Sequence, residues 1–451
     1  MEIVKAKNGS RVNNLYGIQV NDIRRRNEKQ MLIWALLFSL IPDIGIKFRF
    51  MGLTWNAYRV FCLVAVIYLM VHFSGTVYFG VNKFNDWLLL LLSLWVIYGM
   101  TIMIISQYSD RHKGFIELLA LVNGLILCGI VRYAIKSTDD FDIINRVIYL
   151  VLVFFVLYGI YEIVTGNHWY ASAFNDEGST IANYDNIHLA TGFMYNMNDF
   201  SAMITCISPV LISKKLGKLR WCVLAGVFFI NLINDATTCN IAMILFFIYY
   251  YMLVAGKINY RILKWELFVL ICIISVAFIF YQGEGLTSRS DVLGAVARQV
   301  FNARNSTGSL YRRVIIYQDS LQAIFGENIL GFGPCSFENF FTLHPSASKL
   351  VNPHSLLIEI LFQYGMIIFI PYVLLLFLAS KRTYLEYKRC NDNKSKPQYM
   401  IYFGFIICYI LVSFAPSSYL NYSYQWLLVG IICRSLDISR EKGGGRKLCL
   451  M

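Results

Sequence analysis

Read by hydropathy, the chain is a succession of apolar runs joined by short polar connections. A helix crossing the hydrocarbon of a bilayer needs about 20 mostly apolar residues. A window of that length finds roughly twelve runs, near residues 31–46, 57–79, 86–106, 115–135, 145–165, 197–213, 219–235, 239–255, 264–282, 354–379, 399–414 and 419–434. The runs at 31, 399 and 419 are the shortest. The pattern predicts an all-α polytopic membrane protein with about twelve transmembrane helices. It divides the chain into a tail 1–30, spans one to nine in 31–282, a large loop 283–352, spans ten to twelve in 353–435, and a tail 436–451.

Composition agrees: 57% of the 451 residues are hydrophobic and 15% charged, with a mean hydropathy of +0.54. No water-soluble fold of this length buries so much apolar surface in one core. The formal charge of +13 is informative mainly through its placement, because cytoplasmic loops retain Lys and Arg. KKLGKLR at 214–220, KINYRILK at 257–264, KRTYLEYKRCNDNKSK at 381–396 and both tails fall on one side, whereas the connection 166–196 contains no Lys or Arg. This places both termini in the cytoplasm of a plasma-membrane protein. Residues 1–30 lack the pattern of a secretory signal and read as a basic lead-in to the first span. Nucleic acid is excluded as a partner, since no soluble basic domain carries the charge.

The eleven cysteines are scattered, mostly within apolar runs, without disulfide or zinc spacing. His168, His188, His344 and His354 fall on the outer side, none at the i, i+4 spacing of a helical metal site. The reading is metal-free and without cofactor. Two outer connections are long enough to carry function, 166–196 and 283–352. In the second, Leu310, Val314, Tyr317, Leu321 and Ile324 recur at helical spacing and predict a helix lying along the membrane surface or packing through that face. Arg312 and Arg313 put fixed positive charge at the outer headgroup level, where the charge rule disfavours it.

The stretch NPHSLLIEILFQYG at 352–365 opens a membrane helix with polar residues. Asn352 suits the N-cap and Pro353 the first helical position, which places His354 and Ser355 in the first turn. Free amides and the positive dipole end make such a turn an anion site and keep His354 neutral, available as a base. Ser355, Glu359 and Gln363, four apart, form one polar stripe that must face the bundle interior or a wet cavity. Alone, His354 is as well explained by snorkelling to the interface; the capped turn, the stripe and the facing arginines favour a site.

His354, Ser355, nine residues and Gly365 resemble the signature of the O-antigen ligase and polymerase superfamily, which includes teichuronic acid and capsule polymerases. Arg313 before Tyr317, then ILGFGPCSF, is similar to the segments that precede that signature. GFMYNMNDF, with Asn198 in the Asn position, looks like the family's segment ahead of the sixth span. The likeness covers most of the chain in topology but only about four short motifs in sequence. Two features depart from it. DATTCNIAM at 235–243 puts Cys239 where many relatives carry a second Arg, and His188 and Leu189 stand near another expected Arg. A second cation for the diphosphate then has to come from Arg312, Arg304 or Arg289.

The resemblance implies a metal-independent glycosyltransferase on the outer face of the membrane, with a polyprenyl-diphosphate-linked oligosaccharide as donor and a sugar acceptor. His354 would take the acceptor proton and Arg313 would hold the leaving diphosphate. Arg312, Asn198, Ser355, Glu359 and Asn352 would contribute to substrate binding, the role of Glu359 being open. A flippase and a chain-length regulator are the expected partners besides membrane lipid. The tyrosine- and asparagine-rich 166–196 connection favours a polymerase of repeat units over a ligase of finished glycan. A lipid-linked oligosaccharide flippase is the alternative of a different class, but no internal repeat is visible and the charges cluster at the outer edge. The lone Asp140-Phe-Asp142 lies in a short inner loop without a globular domain for a nucleotide sugar.

Overall fold

The computed structural model describes residues 22–42, 47–50, 53–72, 83–168, 187–213, 217–254, 309–392, 395–416 and 418–442. The expected span at 264–282, with Arg289 and Arg304, lies outside the described residues, as does most of the 166–196 connection. The fold is mostly helical. Helix α1 covers residues 22–40 and a hairpin follows, β1 (Lys47–Phe50) and β2 (Leu53–Asn56). Next come α2 (Ala57–His72), α3 (Phe84–Ile105), α4 (Arg111–Ala134) and α5 (Thr138–Thr165). Helix α6 (Met197–Ile207) runs into a 3-10 turn, Ser208–Ile212, and is followed by α7 (Leu219–Ile233) and α8 (Thr237–Val254). The last five are α9 (Ser309–Gly326), α10 (Ser336–Leu343), α11 (Leu356–Arg389), α12 (Lys396–Val412) and α13 (Ser423–Lys442).

Four of these, α3, α4, α5 and α11, are long and apolar enough to cross a membrane; α2, α6 with its 3-10 turn, α7, α8 and α12 are shorter apolar helices. Against the expectation of about twelve spans, helices lie at nearly all the expected places that the described residues cover, and four helices among the described residues are of spanning length. At two elements a proline stops the helix: Pro209 turns α6 into 3-10 geometry, and α1 ends just before Pro42. Helix α1 also starts earlier than its run, because Glu28 is buried and bound by Arg25 at 3.2 Å and by Lys136 at 2.5 Å. The hairpin was not expected, although KFRF and LTWN alternate at period two; Phe48 pairs with Trp55 across it.

Helix α3 shows how the bundle is organised. Leu88, Leu92, Trp95 and Gly99 face inward, and Leu90, Leu94, Ile97 and Ile104 face out. Both faces are apolar, as a helix packed on protein on one side and lipid on the other requires. Trp95 sits at the centre, with ring centroids 5.3 Å from Tyr364, 5.6 Å from Tyr372 and 5.7 Å from Trp426. Helix ends are capped where the chain turns: Asp110 accepts the His112 and Lys113 amides at 3.0 Å, and Asn196 accepts those of Asn198 and Asp199.

Helix α11 is opened at Gly365, whose φ of 63° and ψ of −170° interrupt the helical ladder. The segment Ile329–Gly333 fills the break. Phe332 and Gly333 donate their amides to the carbonyls of Phe362 and Gln363 at 2.9 and 2.8 Å, and the Met366 amide returns to Ile329 O at 3.1 Å. Helix α3 and the connection after it receive the other side of the segment and of Pro334 just beyond it: Tyr98 Oη donates to Leu330 O at 2.8 Å, Ser106 Oγ to Phe332 O, and Ser109 Oγ to Pro334 O at 2.6 Å. Beside it lies a second, smaller core built of Ile316, Ile324, Phe332, Phe337, Phe340 and Phe362, which fastens α9 and α10 to the N-terminal part of α11.

A Cβ on Gly365 would stand 2.3 Å from Leu330 C and 2.4 Å from Leu330 O, with backbone on both sides and a positive φ. Gly365→Ala should therefore lower stability by about 1–3 kcal/mol, read as a lower thermal midpoint of the full chain in detergent. Gly129→Ala is the control, since nothing lies within 4 Å of its added Cβ. Equal midpoints for the two variants would show that the segment is not held as described.

Candidate functional site

The turn between α12 and α13, residues 413–422, gathers the residues singled out in the sequence. Arg313 reaches it from α9, and its Nη1 donates to Phe414 O at 2.5 Å. His354 lies beside Ala415 and Pro416, whose backbone favours the protonated ring, and within electrostatic range of Arg313. From α11, Glu359 is buried and accepts from Ser418 Oγ and from the Tyr419 amide at 2.9 Å. From α6, the buried Asp199 lies within interaction range of Tyr422.

Helix α9 is present, but its buried row differs from the predicted stripe. Val314 and Leu321 are exposed, while Ile316, Ser320, Ala323 and Ile324 are buried with Arg313 and Tyr317 only partly covered. The spacing was legible and the phase was one position out, because polar anchors on the Arg313–Tyr317 side select the inward face. The Leu310 side chain lies outside the described residues. Arg312 is exposed, one position round the helix from Arg313, and does not join the turn.

The start of α11 also differs from expectation. Its N-cap is Ser355, whose Oγ accepts the Ile358 amide at 3.5 Å, and Asn352 lies exposed three residues earlier. His354 stands ahead of the cap in the left-handed region, φ 45°. Tyr317 Oη holds it there by donating to His354 O at 2.7 Å. The Leu356 amide is already bonded to Ser413 O at 3.3 Å. The first turn is thus largely satisfied from within and is not the open anion cradle the sequence suggested. The polar stripe is where periodicity placed it: Ser355, Glu359 and Gln363 are all buried.

Gln363 belongs to a second carboxylate cluster. Glu117 of α4 accepts from Tyr364 Oη at 2.5 Å and from Cys335 Sγ at 3.2 Å, and from the Gln363 amide at 2.5 Å once its nitrogen faces the carboxylate. Glu117 therefore ties the segment after Gly333 to the opened part of α11. Asn198 is the second residue of α6; its backbone amide is part of the Asn196 cap. Cys239, in α8, lies within electrostatic range of Arg313. The feature sequence reasoning missed is the 413–422 turn itself, read only as a gap between two runs. Its composition, FAPSSYLNYS at 414–423, was the available signal.

No family model matches the chain, and no curated protein matches it.

The chemistry available at the turn follows from a cation without a carboxylate beside it and a ring nitrogen without a hydrogen-bond partner. Arg313 has no carboxylate within ion-pair distance among the described residues, and burial pulls its guanidinium below the ordinary value. His354 Nδ1 is buried without a hydrogen-bond partner. Burial first, and the Arg313 charge second, push the His354 imidazole down to about 4. A neutral imidazole with a free lone pair beside an uncompensated cation can accept a proton next to a bound anion. Among the described residues no group of three or more His, Cys, Asp or Glu comes together to hold a metal.

The sign of the linkage is fixed by the lowered value. The unfolded chain, whose histidine titrates near 6.5, binds the proton that the folded chain refuses, so His354 removes stability as pH falls from about 6.5 toward about 4. In a histidine-labelled sample followed by NMR, His354 should titrate near 4, and Arg313→Gln should move it upward while burial keeps it below 6.5. An unmoved titration would mean that His354 does not sense the Arg313 charge.

Proposed function

We propose that the chain is a surface-polysaccharide polymerase, a membrane-embedded glycosyltransferase that joins polyprenyl-diphosphate-linked repeat units on the outer face of the cytoplasmic membrane. The proposal includes about twelve spans with both termini on the basic, cytoplasmic side. It rests on the resemblance of the His354–Gly365 and Arg313–Tyr317 motifs to the O-antigen ligase and polymerase superfamily. The observation that carries it is the convergence of those two motifs on one turn, where Arg313 lacks a counter-ion among the described residues and His354 Nδ1 lacks a partner. A partly buried cation without a counter-ion is held at a cost, and a bound diphosphate would relieve it.

The steps balance without a cofactor. The acceptor oxygen attacks the anomeric carbon as its proton passes to His354. The bond from that carbon to the diphosphate oxygen breaks, and its electron pair leaves with the diphosphate, beside Arg313. One displacement inverts the anomeric centre. The exposed Arg312 and Asn352 would meet the substrate's outer parts, and Asn198 would meet it from the start of the neighbouring α6. Glu359, committed to Ser418 and Tyr419, shapes the turn from beneath.

His354→Ala should slow transfer by about 10²–10⁴ at normal membrane levels, and normal polymer from that variant would remove the histidine from the mechanism. Arg313→Lys should be nearly as impaired as Arg313→Ala, because an ammonium lacks the planar fork; added chelator should change nothing. Cells lacking the protein should accumulate single repeat units accessible from outside. Long carrier-linked chains would indicate a ligase instead, and single units protected on the inner leaflet a flippase.

A further inference from the structure

A second site of different character lies far along the chain from His354. Between the 3-10 turn after α6, the start of α7 and the end of α8 is a cavity of about 180 Å³, lined by Leu211, Ile212, Arg220, Leu224, Phe247 and Tyr250. Arg220 is its charged group. The Nη1 atom of Arg220 donates to Ile212 O at 3.1 Å and its guanidinium lies 4.9 Å from the Trp221 ring centre. Its Nε is buried with no partner. Arg220 has no acidic partner among the described residues, and residues 213–225, SKKLGKLRWCVLA, contain no acid at all. The cavity therefore has a cation with an unused donor and the side chains of Leu211, Ile212, Leu224 and Phe247 around it, and the sequence about Arg220 is basic. Trp221 and Leu219 are exposed beside it, as residues at a membrane interface are.

We infer that this cavity is a binding site for a phosphate ester, with the headgroup of an anionic lipid as its resident. The guanidinium Nε and remaining Nη protons match phosphate oxygens, and basic pockets between helices on the cytoplasmic side hold anionic headgroups. Leu211, Leu224 and Phe247 would receive the first carbons of the acyl chains. The inference uses the reading of a membrane-embedded chain but not the chemistry at His354.

The test uses the full chain in phosphatidylcholine nanodiscs. One arm adds phosphatidylglycerol and counts retained lipid by native mass spectrometry; the other adds sn-glycerol 3-phosphate. Retention of phosphatidylglycerol over phosphatidylcholine is expected, weakened about fivefold or more in Arg220→Gln. Leu224→Trp, which fills the cavity and keeps the cation, should weaken it as well, and His354→Ala should not. Binding confined to the glycerol phosphate arm, with the same variant dependence, would keep the phosphate site and make its ligand a soluble ester. No preference in either arm, or a preference that survives in either cavity variant, would overturn the inference.

Discussion

Backbone that leaves the helical ladder inside an apolar bundle must find partners within the protein, because hydrocarbon offers none. At Gly365 the ladder of α11 opens, and Ile329–Gly333 supplies the missing hydrogen bonds from Phe332, Gly333 and Ile329. The close approach is backbone against backbone, and only a residue without Cβ fits on either side. The same segment anchors α10 and, through the small aromatic core, α9. The register of Arg313 over the 413–422 turn therefore depends on this pairing.

The turn itself is a receiver. Helices α6, α9 and α11 each present one polar side chain to it, and the turn answers with one carbonyl to Arg313 and with a hydroxyl and an amide to Glu359. Tyr317 and Ser413 restrain the backbone on either side of His354. What is left over is asymmetric: one basic lone pair and one positive charge, each drawn out of water. A small, preorganised polar site at the edge of an apolar body suits a charged group carried by a lipid, which supports the proposed glycosyltransferase.

Much of this was legible in the chain. Hydropathy located the helices because packing and lipid both demand apolar residues, and the i, i+4 spacing of Ser355, Glu359 and Gln363 gave their shared burial. Length was less legible, since Pro209 and the buried Glu28 shift ends in ways no hydropathy window senses. The cap of α11 was misplaced because Asn352, Pro353 and Ser355 all satisfy local capping rules, and the choice is made by Tyr317 and Ser413, remote in sequence. The phase of α9 was set by the same tertiary contacts. Gly365 was recognised as part of a motif, but its purpose needs the partner segment to be seen.

The pairing at Gly365 also has a direction in time. Ile329–Gly333 precedes α11 in the chain, so the segment that closes the break is already made when the helix that needs it is synthesised. Glu359 has no such provision, because Ser418 and Tyr419 follow it by some sixty residues. Until that turn arrives, the nascent α11 carries a carboxyl group whose partners do not yet exist. The N-terminal part of α11 is thus clasped twice, its backbone by chain that precedes it and its buried carboxylate by chain that follows it.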